Sequence, residues 1–172
     1  MSTISSCSLM LEGGLNSIIG TSYTSEDADI IATDNNYTAL QNTLQQRIDK
    51  IESEYPDYDE YRYDLDTIGH NPHELAAYLT SLLQTYKPNE VQGELQRVFD
   101  LQYKLTLTPV VEVRYRTETR TDTWTDEDGN THRDTYTVEV PYNYYILNVK
   151  LDNFSVTSIA NKLLNIEQLE MY

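Results

Sequence analysis

The stretch PVVEVRYRTETRTDTWTDEDGNTHRDTYTVEVPYNYYILNVKLD, residues 109–152, decides the fold. Two runs rich in Val, Thr and Tyr flank the knot Asp126-Glu127-Asp128-Gly129-Asn130, the composition of strand, bend and strand. Asp128-Gly129 is a preferred two-residue hairpin bend, because both of its central positions need positive φ. A bend there places Val111 opposite Ile146, Val113 opposite Tyr144, Tyr115 opposite Tyr142, Thr117 opposite Val140, Thr119 opposite Val138 and Thr121 opposite Tyr136. The other side then carries Glu112/Tyr145, Arg114/Asn143, Arg116/Pro141, Glu118/Glu139 and Arg120/Thr137. One face reads apolar or Thr and the other mostly polar, so this register is expected, with Val113 and Tyr144 on the same side. The strands run from about 104 to 125 and from 131 to 152. Arms of that length span on the order of 50 Å, more than a small domain covers, so the Thr-rich distal part is expected to project.

Upstream, the period lengthens to that of helices. Tyr37, Leu40, Leu44, Ile48, Ile51 and Tyr55 fall on one stripe of a helix over about 27–54, capped by Thr24 or Ser25 and stopped before Pro56. Asn71-Pro72 with Glu74 is a start signal and capping box for a second helix, about 72–86, with Leu75, Tyr78, Leu79, Leu82 and Leu83 on its face. A third spans about 90–102, facing inward with Val91, Leu95, Val98 and Phe99. Ser155 can cap a short C-terminal helix carrying Ile159, Leu163 and Leu164. The acidic, Tyr-rich stretch 57–69 reads as a connector. The expected fold is α+β: a flexible leader over residues 1–20, then a single domain over 21–172 with helices laid on one face of a long hairpin. A curved sheet under helices would resemble a nuclear-transport-factor-like cone, although the strand count is low for one.

Twelve Lys and Arg against 28 Asp and Glu leave a net charge of −16. That disfavours nucleic acid and anionic membrane surfaces as partners. The excess is uneven: residues 1–66 hold 13 acids and 3 bases, residues 67–108 hold 4 and 3. One cysteine, Cys7, precludes an internal disulfide and any Cys-rich zinc site. No apolar run is long enough to span a bilayer.

Reactive constellations are sparse. His70-Asn-Pro-His73-Glu74 is not the spacing that puts two imidazoles one helical turn apart, and His132 lies beside the hairpin bend, so no metal site is assigned. The acids Asp57, Asp59, Asp64 and Asp66, and the knot at 126–130, lack the stepped ligands and terminal Glu of a calcium loop. Cys7 has no His nearby in sequence, and there is no phosphate-cradling loop or nucleophile elbow. No catalytic residue and no cofactor is assigned. Aromatic side chains are the remaining candidates. There are 15 Tyr against 2 Phe and 1 Trp, and Tyr suits half-wet surfaces. Tyr58, Tyr61 and Tyr63 in the connector, Tyr142, Tyr144 and Tyr145 in the hairpin, and Trp124 near its tip are candidate binding residues. Packing of amphipathic rings over a small core is the competing reading for the tyrosines.

Four strings stand out together: GTSYTSEDAD at 20–29, YDEYRYDLDTIGHNP at 58–72, VEVRYRTETRTDTWT at 111–125 and VPYNYY at 140–145. With them the chain resembles the region upstream of the catalytic domain in cell-wall hydrolases of conjugative transposons from Firmicutes. The resemblance implies a membrane anchor upstream and, downstream, an NlpC-type cysteine peptidase domain that cleaves peptidoglycan stem peptides. No residue here matches that domain's Cys-His pair. The implied role is a non-catalytic extracytoplasmic spacer or binding module, with cell-wall or conjugation-machinery proteins as partners. Two alternatives stand beside it: a cryptic carboxylate-based glycan hydrolase, and self-association through the projecting hairpin.

Overall fold

The computed structural model describes residues 23–172; the leader expected over 1–20, with Cys7, lies outside them. Helix α1 (Asp27–Asp49) runs into a short α2 (Ile51–Glu54), and the chain then makes strand β1 (Glu60–Leu65). Helices α3 (Pro72–Leu83) and α4 (Gln92–Gln102) follow, then β2 (Tyr103–Thr125), β3 (Thr131–Asn153), α5 (Val156–Leu163) and α6 (Ile166–Met171). The expected α+β fold holds, with a three-stranded mixed sheet in the order β1-β3-β2. β1 pairs parallel to β3, from Glu60 opposite Ile146 to Leu65 opposite Leu151. It was hidden in the acidic connector because its alternation of Tyr with Glu, Arg and Asp carries little apolar weight.

The helix ends follow local chemistry. Asn71 caps α3 by accepting from the His73 amide at 3.0 Å. Glu74, expected to close that cap, instead accepts from the Thr157 amide of α5 at 3.2 Å. α3 stops at Leu83 rather than 86 because Gln84 takes φ 64°. Neither Thr24 nor Ser25 caps α1: Glu26 occupies the cap position, and Ser25 Oγ accepts from the Tyr86 amide at 3.0 Å. The last helix, α6, has a capping box formed by Asn165 and Gln168.

Two apolar clusters form the core. The first is helical: Ile30 and Tyr37 of α1 meet Leu75, Tyr78 and Leu79 of α3, Leu95 and Val98 of α4, and Val156 and Ile159 of α5. The second lies between the C-terminal half of α1 and the sheet: Leu44, Ile48 and Ile51 against Tyr103, Leu147, Val149 and Leu151. Phe99 packs against both clusters. Its ring stands 6.1 Å from Tyr37 and 5.1 Å from Tyr103.

The hairpin forms, but its register differs by one residue from the expected one. Val113 pairs with Asn143 and Glu112 with Tyr144, so Val113 and Tyr144 lie on opposite faces. The bend is the cause. The Gly129 amide bonds to the Asp126 carbonyl at 3.1 Å and the Asp126 amide to the Asn130 carbonyl at 2.9 Å, enclosing three residues. Gly129 takes φ 83°, the left-handed residue that ends a three-residue bend. The base of the hairpin requires the same register. It sets Leu105 against Leu151 and Leu107 against Val149, whereas the expected register would have set those leucines against Asp152 and Lys150.

Buried tyrosines make the fold sensitive to alkali. Burial pushes the Tyr37, Tyr78 and Tyr86 hydroxyls well above the ordinary value of 10.0. Their neutral forms are favoured by the fold, so the stability they contribute is complete below pH 10 and falls as pH rises beyond it. Tyrosinate absorbance at high pH should therefore report these three rings ionising only together with loss of the circular dichroism of folding. The register has its own check. Cysteines placed at 113 and 143 should cross-link, and cysteines at 113 and 144 should not. Gly129→Ala should destabilise the hairpin by about 1–2 kcal/mol, measured by denaturant titration.

Candidate interaction surface

The observed register gives the ribbon two unlike faces. In β2 and β3 the odd-numbered residues share one side and the even-numbered residues the other. At the base the odd side is the core face, where Leu105, Leu107, Leu147, Val149 and Leu151 meet the helices. The same side continues outward as Val111, Val113 and Tyr115, opposite Tyr145, Asn143 and Pro141. There Val111 is 54%, Val113 60% and Tyr115 65% exposed. From Thr117 to Thr125 and from Thr131 to Thr137 this side carries eight threonines, and within the strands its charges between Val111 and Tyr145 are Arg133 and Glu139 alone. A solvated strand pair ordinarily keeps its charges on the wet side.

The even side is charged and already engaged with itself. Arg62 of β1 reaches Glu60 and, at 3.5 Å, Glu112; Arg114 reaches Glu112 at 3.0 Å and Glu60 at 3.5 Å. The hydrogen bond from Arg62, with Arg114 nearby, holds the Glu60 carboxyl below the usual carboxylate range. A glycosidic general acid needs the opposite shift. The Arg114 guanidinium lies 3.4 Å from the centre of the Tyr144 ring, and that of Arg116 lies 5.9 Å from the Tyr142 ring. Such cation–π pairs match the charged set of β2 to the aromatic set of β3, which makes the observed register acceptable on this side.

At the foot of the odd side lies a groove of about 520 Å³, lined by Glu54, Tyr55, Pro56, Asp57, Tyr58, Pro109, Val110, Val111 and Tyr145. Asp59 fixes its wall by accepting from the Tyr145 amide at 2.8 Å. The lining is largely Tyr, Pro and Val, and its charged members, Glu54 and Asp57, are both acidic.

The seven candidate aromatics are therefore divided. Tyr58 and Tyr61 meet edge to face at 6.1 Å beside the groove, and Tyr61 donates to the Tyr55 carbonyl. Both pack against the second core cluster, which is the packing reading. Tyr145 lines the groove. Tyr63 donates to Glu52 at 3.0 Å. Tyr142 and Tyr144 face the even side under arginines. Trp124, half exposed, stacks on His132 at 4.3 Å and donates to Asp134 at 3.1 Å near the tip. Val111, Val113 and Tyr115 were not among the candidates, because they were expected under helices; they lie on the helix-facing side but beyond the residues that meet the helices.

A buried polar joint holds the sheet against the helices. The Gly69 carbonyl accepts from Tyr103 Oη at 2.8 Å, Gln102 Nε2 at 3.1 Å and Asn153 Nδ2 at 3.3 Å. Asn153 also donates to the Thr67 carbonyl at 2.6 Å, so its Oδ1 faces Gln102 Nε2, at 2.9 Å. Gln102 Oε1 then accepts from the Tyr37 hydroxyl at 2.6 Å. His70, considered earlier with His73 and Glu74, turns its ring into this joint: Nε2 meets Asp34 at 2.8 Å and Nδ1 meets Gln41 at 3.2 Å. Among the described residues no three His, Cys, Asp or Glu side chains converge as metal ligands. Nor, among them, is any helix long and apolar enough to cross a membrane. No family model, curated protein or solved structure matches the chain.

Gln102→Leu removes the donor and acceptor that Gly69, Asn153 and Tyr37 share while roughly keeping volume. It should cost about 2–4 kcal/mol, since several buried groups lose partners at once. Urea unfolding measures it. The same change at exposed Gln96 should have little effect.

Proposed function

We propose that this chain is a non-catalytic interaction module of an extracytoplasmic cell-wall hydrolase of a conjugative element, and that it positions a downstream peptidase through its ribbon. The observation that carries this is the odd face continuing past the residues that meet the helices, with Val111, Val113 and Tyr115 more than half exposed. A two-stranded hairpin without a third strand or a helix on it is marginal in water, so a partner that covers this face is stabilising. The groove at its foot gives such a partner a Tyr- and Pro-lined seat with an acidic rim. That chemistry suits an extended segment with an aliphatic or proline side chain flanked by Lys or Arg. The four sequence strings supply the wall-hydrolase context.

A second reading, self-association, is favoured by the outer edge of β2, which has no neighbouring strand among the described residues. Sedimentation at micromolar concentration separates the two: a monomer supports a foreign partner and a dimer supports pairing of copies.

A photo-cross-linking residue at Val113 should capture a wall or conjugation protein in intact cells, and one at exposed Glu90 should not. Val113→Asp with Tyr115→Asp should abolish capture from a linker at Val111 while leaving the thermal midpoint within a few degrees. The purified chain should leave a peptidoglycan zymogram uncleared. Clearing, or equal capture from positions 113 and 90, would overturn the proposal.

A further inference from the structure

The backbone of the ribbon directs its unpaired hydrogen-bonding groups to its edges. Tyr145 and Leu151 turn their carbonyls toward β1, where the Asp59 amide donates to the first at 2.8 Å and the Asp66 amide to the second at 3.0 Å. The odd residues of β3 therefore face β1, and its even residues bond to the even residues of β2. The odd residues of β2 are left with amide and carbonyl pointing away from the sheet. Pro109 is odd, so the donor it lacks is an outward one, and the edge is blunted at the base of the ribbon. Pro141 blunts the distal β3 edge in the same way, and Asp59 closes that edge at Tyr145 by accepting its amide at 2.8 Å. From Val111 to Thr125 the β2 edge has no proline, and among the described residues no strand covers it. A long bare edge is a template for another strand.

The charges along this edge select the strand that fits. On its even side β2 carries Arg114, Arg116, Glu118, Arg120, Asp122 and Trp124. Asp122 sits opposite Asp134 within the ribbon, where like charges repel. Two copies of β2 laid antiparallel and centred on Thr119 relieve this. Glu118 of each copy then meets Arg120 of the other, Arg116 meets Asp122, and Arg114 meets the Trp124 ring. On the odd side Thr119 meets Thr119, Thr117 meets Thr121 and Tyr115 meets Thr123. Centring on Thr117 or Glu118 would instead set Arg120 against Arg114 or Arg116, and centring on Arg120 would set Glu118 against Asp122. Centring on Thr121 would shorten the overlap to 117–125. The Thr119 register pairs 113–125, nearly the whole proline-free edge, and stops short of Pro109. At its ends Glu112 meets Asp126, each already bonded within its own copy, to Arg62 and Arg114 or to His132.

We infer that two copies of this chain pair edge to edge along β2, antiparallel and centred on Thr119, into one continuous sheet. The strand that complements this edge carries the same charges in reverse order, and β2 itself supplies them. The inference rests on the reading in which copies associate. The two-fold axis of such a pair stands perpendicular to the sheet. The odd faces of both copies therefore lie on one side and stay open to the foreign partner proposed above. Pairing also gives the distal ribbon the neighbouring strand that a lone hairpin lacks.

Sedimentation equilibrium of the whole chain at micromolar concentration should show a dimer. Arg120→Glu and Glu118→Arg should each weaken it about tenfold, because either change sets like charges across both symmetry-related pairs. Combining the two changes in one chain should restore most of the affinity. In a Cys7→Ser background Thr119→Cys should give a disulfide-linked dimer, and Thr123→Cys, which meets Tyr115, should not. None of the side chains changed in the ribbon is buried, so the circular dichroism of each variant should match the wild type. A monomeric wild type would overturn the inference together with the reading it rests on. A dimer that the single charge changes leave intact, or that the combined change fails to restore, would overturn the register while self-association stands.

Discussion

One carboxylate decides which way the ribbon faces. Asp126 Oδ1 accepts from the Asp128 amide at 3.1 Å and the Asn130 amide at 2.7 Å, while Oδ2 takes His132 Nε2 at 2.6 Å. The hydrogen bond from His132, with those from Asn130 and Asp128, holds that carboxyl below the usual range. These bonds favour a bend of three residues over one of two. In a ladder with period two, that single residue moves every side chain of one arm to the opposite face. Because of it the charged set of β2 lies beside the tyrosines of β3.

The base of the ribbon makes the same demand by a different force. Leu105, Leu107, Leu147, Val149 and Leu151 share a side only in this register, and they are the floor of the second core cluster. A polar bend and an apolar floor, at opposite ends of the ribbon, agree on one alignment. Consistency of that kind is what gives a long hairpin a single state rather than a family of slipped ones. The polar joint around Gly69 then sets the sheet's position on the helices, through hydrogen bonds whose directions leave little freedom to rearrange.

Much of this architecture was legible in the residues. The stripe from Tyr37 to Ile51, the Asn71-Pro72 start and the strand–bend–strand pattern each carried enough apolar period or turn chemistry to be read. The register is harder to read, because Val111–Thr121 against Tyr136–Ile146 looks plausible in both alignments and only the leucines at the base separate them. β1 was missed because its pairing with β3 is tertiary: Tyr61 and Tyr63 acquire meaning only opposite Leu147 and Val149. The joint was beyond sequence altogether. Nothing in the spacing of Asp34, Gln41, His70 and Tyr103 shows that a helix, a loop and a strand meet there.

The exposed face is therefore a consequence of the core rather than a patch added to it. The side that binds helices at the base is the side that emerges beyond them, and the alternation that makes Leu107 a core residue makes Val111 and Val113 exposed ones. A substitution that shifted the register to hide those valines would also turn Leu105 and Leu107 away from Leu44 and Ile48. Burial at the base and exposure along the ribbon are thus one constraint. If covering the exposed stripe were of no use, the economical change would be Thr or a charged residue at 111, 113 and 115, as the distal arm already has. The chain instead keeps Val, Val and Tyr next to an acidic, Tyr-lined groove, the arrangement expected where a second surface completes the ribbon.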